Sequence, residues 1–492
     1  MHQQILILRL SSLGDVVLLG PALKALKKAC PASHITAVTK KPFIDVLSSN
    51  PDIDKVIAYN GLLNTYNELK SGQFDCILDF HGVIKTRLLS MMLTAKLKAC
   101  YSKNVLGRYL ILMSGKFRRS DMARHVQDRY LDLLKTIGIG EMRVLVMQTA
   151  FLGDAVLTLP LLKSIKERLS SANVYVLSRP EHHDVFAREG FCVIIDDKRT
   201  KNRKVLGFIN TLRNLKRGGF DLAIIPHRSF RSALLAWLAQ IPQRIGFSTS
   251  SGYFFLTSQV PFNWEEHDSE RNLKLLDRVI LPSKDALDCA HRSWFTLADK
   301  DHIFAQDYLQ KLGVDPANAF IVGIAPGSKW PTKSWPVENF LNVVSELKTR
   351  FNNIKIVLIG SSEDKPLCDA LEQSLNGTSA LNLAGKTTLK EIIPLMSKFK
   401  LFLSNDSGPM HIACGLGIPT VAVFGPTVRE FGFFPKSEKS ILVESEDLSC
   451  RPCSLHGGLK CPRKHFLCMR LIRPEDVMKA CEKVLSSVKR ET

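Results

Sequence analysis

Three short polar stretches in the second half of this sequence carry side chains suited to a phosphorylated ligand. In LFLSNDSGPMHIACGLGIPTVAVFG, residues 401–425, an apolar run ends at Asn405, and Asp406, Ser407 and Gly408 precede a helical stretch opening at Pro409. Proline is tolerated in a first helical turn because its missing N–H has no partner there anyway. The free N–H groups and the dipole of such a helix suit a pyrophosphate, and Gly408 lets the backbone approach closely. The plainer alternative is a helix cap and nothing more. APGSKWPTKSWP, residues 325–336, offers Ser328, Lys329 and Lys333 after another apolar run. There Lys333 would be a point charge on a leaving phosphate and Ser328 a hydroxyl donor, with a solvated loop as the alternative. IGSSED, residues 359–364, adds Glu363, either a carboxylate for the two hydroxyls of a ribose or a solvated acid at a helix start. A dipole, a cation and a carboxylate at converging strand ends make a nucleotide-diphosphate site.

The elements that must position these loops are βα units. FIVGIAP (320–326), IKIVLIG (354–360), LFLSN (401–405) and TVAVFG (420–425) are short apolar runs of buried-strand type, and each is followed by a polar turn or a helical pattern. Upstream, one loop is written twice: RLSSLGDVVLLGPALK at 9–24 and QTAFLGDAVLTLPLLK at 148–163, each after an apolar run and each reading as strand, tight turn and helix. Asp15 pairs with Asp154. The match continues from FDCILDFHGVIKTRLL (74–89) to FDLAIIPHRSFRSALL (220–235), and from HVQDRYLDLL (125–134) to HDSERNLKLL (267–276), which aligns His125 with His267. Such spacing means duplication of a whole domain, not a short solenoid repeat. Alternating strands and helices predict an α/β chain of doubly wound parallel sheets: 1–141 and 142–300 as two copies of one type, 301–492 as a third domain of a second type.

The chain has 492 residues, and 67 Lys+Arg against 47 Asp+Glu leave a formal net charge of +20. A basic surface attracts phosphate-bearing partners. The basic residues are dispersed and no nucleic-acid-binding signature is found, so nucleic acid is not expected and a membrane surface or phosphorylated lipid is. No apolar run approaches the ~18 residues of a membrane span, and the first residues lack a signal-peptide layout, so a cytoplasmic location is expected.

LGD in the second copy, PHRSFRSALL, RIGF at 244–247, PGS…TKSWP and NDSGPMHIACGLGIPTVAVFGPT together resemble the heptosyltransferases of glycosyltransferase family nine, over about 142–480, with the second-heptose enzyme the nearer pattern. That resemblance implies a glycosyltransferase B-type fold, two Rossmann-like domains around a cleft, here preceded by a duplicate N-type α/β domain. It implies inverting transfer of heptose from an ADP-heptose donor to the lipopolysaccharide inner core, at the cytoplasmic face of the inner membrane, with no cofactor. Carried over by position, Asp154 would be the general base. Ser328, Lys329 and Lys333 would hold the phosphates, Glu363 would meet the nucleoside and Asp406 the sugar, while Ser407, Gly408 and His411 would close around the diphosphate. The sequence departs from the pattern at AFLGDAV and at His227. Another nucleotide sugar, or a scaffold that binds without turnover, is the alternative reading.

Residues 1–141 resemble only the acceptor half of that family. Without a donor half of its own, Asp15 marks at most a second acceptor site; a docking or dimerising domain, hence a homo-oligomer, and a fusion relic are the other readings. Four cysteines, Cys450, Cys453, Cys461 and Cys468, follow a C-x2-C-x7-C-x6-C pattern that can close a structural zinc site, as against free thiols packing a loop or a redox pair. Cys76 and Cys192, within apolar runs, are expected to be small core residues.

Overall fold

The structure is a computed structural model and describes residues 4–101, 126–137, 139, 142–169, 171–196, 204–279, 293–351, 353–375, 380–446 and 448–488. His125, aligned above with His267, lies outside the described residues.

Three parallel sheets follow one another along the chain. The first has five strands, β1 Gln4–Leu8, β2 His34–Thr39, β3 Lys55–Ala58, β4 Phe74–Asp79 and β5 Ala95–Cys100, in the order 3-2-1-4-5. The second has six, β6 Met142–Met147, β7 Ala172–Ser178, β8 Cys192–Ile195, β9 Leu222–Ile225, β10 Gln243–Phe247 and β11 Ser258–Val260. The third has β12 Phe320–Ala325, β13 Ile354–Leu358, β14 Ala380–Asn382, β15 Leu401–Asn405, β16 Thr420–Phe424 and β17 Ser440–Glu444. Both six-stranded sheets repeat the order of the first with one strand added, 8-7-6-9-10-11 and 14-13-12-15-16-17. In each, the order reverses between the first and fourth strands, the crevice where open α/β sheets bind ligands.

The apolar runs become strands because helices cover both sheet faces. Val144 and Val146 enter one core, while Leu145 and Met147 enter another. Ile5 and Ile7 divide from Leu6 and Leu8 in the same way. The edge strand is the exception. Cys192, expected in the core, is exposed on β8, which borders only β7 and has less to pack against. Cys76, in central β4, is fully buried. The single helix expected after each opening loop is broken in two, Leu13–Val17 then Gly20–Ala29, and Leu152–Leu157 then Leu159–Arg168. Pro21 and Pro160 sit in the first turn of the second pieces, where a continuous helix would require a proline N–H and the space its ring fills.

The second and third units share one core. Val144, Leu161 and Ile165 belong to the same buried cluster as Ile393, Phe399 and Ile412, and the Trp294 N–H donates to the Gly415 carbonyl at 2.8 Å. The first unit has its own core and meets the second through a polar seam, which includes Gln243 Nε2 donating to the Thr136 carbonyl at 3.2 Å and Lys135 with Asp221 at 3.7 Å.

Candidate active site

The loops after β6, β12, β13 and β15 converge between the second and third sheets on a cavity of about 480 Å³. Its lining includes Asp154, Ser328, Lys329, Lys333, Glu363, Asp406, Ser407, Gly408 and His411, so the structure brings the candidate base and all the phosphate, nucleoside and sugar candidates into one chamber. A second cavity, of about 290 Å³, opens on the side of the second sheet and is lined by Gln148, Pro226, His227, Arg228, Trp264 and Asp268 among others. Phe151, Asp154, Leu455 and His456 line both chambers. Asp154 therefore stands where the two meet.

The halves interlock through glycines. A Cβ on Gly153 would lie 2.7 Å from the His411 ring, and one on Gly408 would lie 2.8 Å from a Leu152 methyl. Helix Leu152–Leu157 and helix Gly408–Gly415 thus meet end to end at a distance only glycine permits. Val156 is completely buried there. Its counterpart in the first unit, Val17, is 58% exposed, Leu13 is 52% exposed, and a Cβ on Gly14 would meet nothing within 4 Å. Among the described residues no counterpart of helix Gly408–Gly415 lies against the first loop.

The two aspartates differ accordingly. Asp154 accepts the Phe151 N–H at 3.1 Å, closing half of a capping box. Burial, reinforced by the charge of Asp268, raises its pKa to about 7. Asp15 is also pushed up by its partial burial, but the Arg9 guanidinium paired with it and the Ser12 N–H and hydroxyl hold it below the usual carboxylate range. In the second copy Gln148 stands in the place of Arg9 and Phe151 in the place of Ser12. Gln148 Nε2 is spent on the Thr158 hydroxyl at 2.9 Å.

On the donor side, Lys333 and Asp406 meet first of all each other, at 2.5 Å, and the Thr427 hydroxyl donates to Asp406 at 2.6 Å. Burial raises the Asp406 pKa, yet Lys333 and these hydrogen bonds bring it below the ordinary value. Lys333, expected as a point charge on a leaving phosphate, and Asp406, expected at the sugar, are thus each held by the other. Burial lowers the His411 pKa to about 4, so its ring is neutral near pH 7. Lys329 remains exposed, its Nζ 4.5 Å from the centre of the Phe151 ring. Glu363 is exposed at the rim.

Several lining residues were not foreseen. Arg179 and His182 follow β7, a strand end of the kind that lines such crevices. Arg228 stacks on Phe262 and Trp264, 4.3 and 4.9 Å from the ring centres. Leu455 and His456 come from the cysteine-rich segment, which folds back so that Gly458 N–H donates to the Thr332 hydroxyl at 2.7 Å. The four cysteines of this segment lie near one another, the Cys468 thiol being pushed up by burial and by Cys453, Cys461 and Cys450. Among the described residues no three His, Cys, Asp or Glu side chains are grouped to hold a metal ion. Cys453 Sγ instead donates to the Cys450 carbonyl at 3.0 Å, and Cys468 packs into the core of the third unit. The segment is a wall of the cleft tied down by backbone and hydroxyl groups.

The sequence model of glycosyltransferase family 9 (heptosyltransferase) matches residues 209–458, half of the chain, across the second and third sheets. The chain belongs to glycosyltransferase family 9. Lipooligosaccharide heptosyltransferase 2 of Campylobacter jejuni is 27% identical over 347 residues, 70% of this chain and 99% of that one. Nearly a third of this family 9 chain therefore has no counterpart there. Among solved structures, the glycosyl transferase family 9 protein from Veillonella parvula (TM-score 0.61, 23% identity) covers 70% of this chain and 98% of its own. ADP-heptose lipopolysaccharide heptosyltransferase II of Escherichia coli (TM-score 0.57, 21% identity) covers 71% and 100%. Both share the two-unit glycosyltransferase B-type fold that this family 9 chain builds from its second and third sheets.

Proposed function

We propose that the chain moves a heptose from ADP-heptose to the lipopolysaccharide inner core, a heptosyl-Kdo2-lipid A type acceptor, with inversion at the anomeric carbon. The observation that carries this reading is the position of Asp154: a carboxylate with its pKa raised to about 7 on the border of two adjoining chambers, one of them lined by the phosphate-binding candidates. The acceptor hydroxyl attacks from the chamber of Arg228 and Trp264 and gives its proton to Asp154. The bond from the anomeric carbon to the phosphate oxygen breaks, and its electron pair leaves with ADP. The charge gathering on ADP is met by the helix N-terminus at Ser407 and Gly408, by Ser328 and by Lys329, with Lys333 behind them sharing its charge with Asp406. Neutral His411 closes over the diphosphate and Glu363 takes the ribose. The names of the relatives support the donor, and the net charge of +20 supports work at the anionic inner face of the inner membrane. Among the described residues no helix is long and apolar enough to cross a membrane.

ADP release from ADP-heptose and the lipid A acceptor tests the reading. Asp154→Asn is expected to lower kcat by about 10²–10⁴-fold, the usual range for a lost general base, and Asp15→Asn to leave it unchanged. Equal losses from both variants would overturn the assignment. No release by the native chain, with turnover of another nucleotide sugar in a donor screen, would move the reading to a different sugar.

A further inference from the structure

The first unit lacks a donor half, and its Asp15 is tied to Arg9, so its opening loop does not explain its retention. The helix Ile84–Met92 does carry a feature that points elsewhere. Ile84, Leu88 and Met91, spaced i, i+4, i+7, form one outward stripe, with Ile84 77% and Met91 74% exposed. The opposite face is ordinary, with Leu89 packed among Leu6, Leu8 and Leu93. Lys85 and Arg87 on the helix, and Lys96 and Lys98 on adjoining β5, are exposed around the stripe. Neither element contains an acidic residue; among the carboxylates on elements packed against them, Asp75 pairs with Lys96 at 2.9 Å, Asp79 is fully buried and Glu68 is exposed on helix Leu62–Leu69.

The duplicate repeats the design. The register that aligns 74–89 with 220–235 sets Ile84 at Phe230 and, two residues past the matched segment, Met91 at Trp237. Phe230 and Trp237 are 46% and 48% exposed on helix Phe230–Leu238. With exposed Tyr253 and Phe254 they make an aromatic shelf, the rings of Phe230 and Phe254 6.0 Å apart. Arg228 and Ser251, two residues before Phe230 and Tyr253, line the acceptor chamber. An apolar stripe flanked by Lys85 and Arg87, on a helix that carries no carboxylate, matches an anionic bilayer surface, where apolar side chains enter the headgroup boundary and cations meet phosphates.

We propose that the first unit is a second bilayer contact: its Ile84–Met92 helix seats on an anionic lipid surface, as the duplicated counterpart of the aromatic face beside the acceptor chamber. The inference rests on the lipid-borne acceptor proposed above. One shallow interfacial contact binds weakly, and two in one chain multiply through effective concentration.

The test is co-sedimentation of the full chain with phosphatidylcholine vesicles, with and without phosphatidylglycerol. The native chain is expected on the phosphatidylglycerol vesicles only. Combining Ile84→Ser, Leu88→Ser and Met91→Ser is expected to lower partitioning by about tenfold or more, with an unchanged melting curve and unchanged ADP release on a delipidated, water-soluble acceptor. Native-like vesicle binding by this variant overturns the proposal, as does a change from dimer to monomer in sedimentation velocity without loss of vesicle binding, which makes the stripe a contact between two copies. Loss of vesicle binding in the variant, with no ADP release even from the native chain, upholds the bilayer contact and rejects the transfer reading.

Discussion

A carboxylate that takes a proton in the reaction must be ionised before the acceptor arrives. With its pKa raised to about 7, Asp154 meets that condition only from neutral pH upward. The expected kcat/KM profile for the acceptor therefore rises through about pH 7 and levels off above it, which initial rates at subsaturating acceptor across pH 5.5–9 check. The same shift bears on stability. Between about pH 4, near the ordinary carboxylate value, and about pH 7, folded Asp154 keeps a proton that the unfolded chain has released, so its contribution to stability falls as pH rises through that window. Asp154→Asn is accordingly expected to melt higher than the native chain at pH 8, by more than at pH 5. Asp15, held low by Arg9, has no such dependence above pH 4. Two differences between the copies, Arg9 against Gln148 and Ser12 against Phe151, remove from Asp154 the partners that hold Asp15 low, and burial beside Asp268 raises it further.

At the scale of elements, the interlocked glycines decide how the two halves approach. Gly153→Ala would drive a methyl into the His411 ring, and the cost of such overpacking is about 1–3 kcal/mol. Gly14→Ala, at the same position of the uncovered loop, meets open space and is expected to stabilise the short helix Leu13–Val17 by about 0.5–1 kcal/mol. Opposite signs in urea titrations of the two variants check this. The strands and the polar strand-end loops were legible in the sequence because their information is local: apolar runs of strand length, Gly-Pro helix starts, and a repeat long enough to align. The breaks before Pro21 and Pro160 are local too, since a proline inside an apolar helical pattern marks them. What local pattern cannot carry is partnership across the fold. Nothing beside Lys333 in sequence shows that Asp406 will hold it, and the return of Leu455 and His456 to the cleft depends on a hydrogen bond to Thr332, 126 positions away. Arg228 owes its place to Phe262 and Trp264, which belong to another loop.

For the whole molecule, one continuous core through the second and third units and a separate core in the first imply two melting transitions. Leu26→Ala, in the first core, is expected to lower only one of them and Leu161→Ala only the other, each by the equivalent of about 2–5 kcal/mol, as read by scanning calorimetry. Phe151, Leu455 and His456 face both chambers, so whichever substrate occupies one of them fixes part of the boundary of the other. For the proposed transfer the expected kinetic consequence is coupled entry, with the sugar nucleotide shaping the place of the glycolipid. Initial-rate plots are expected to intersect, and ADP to inhibit competitively against the sugar nucleotide and non-competitively against the glycolipid.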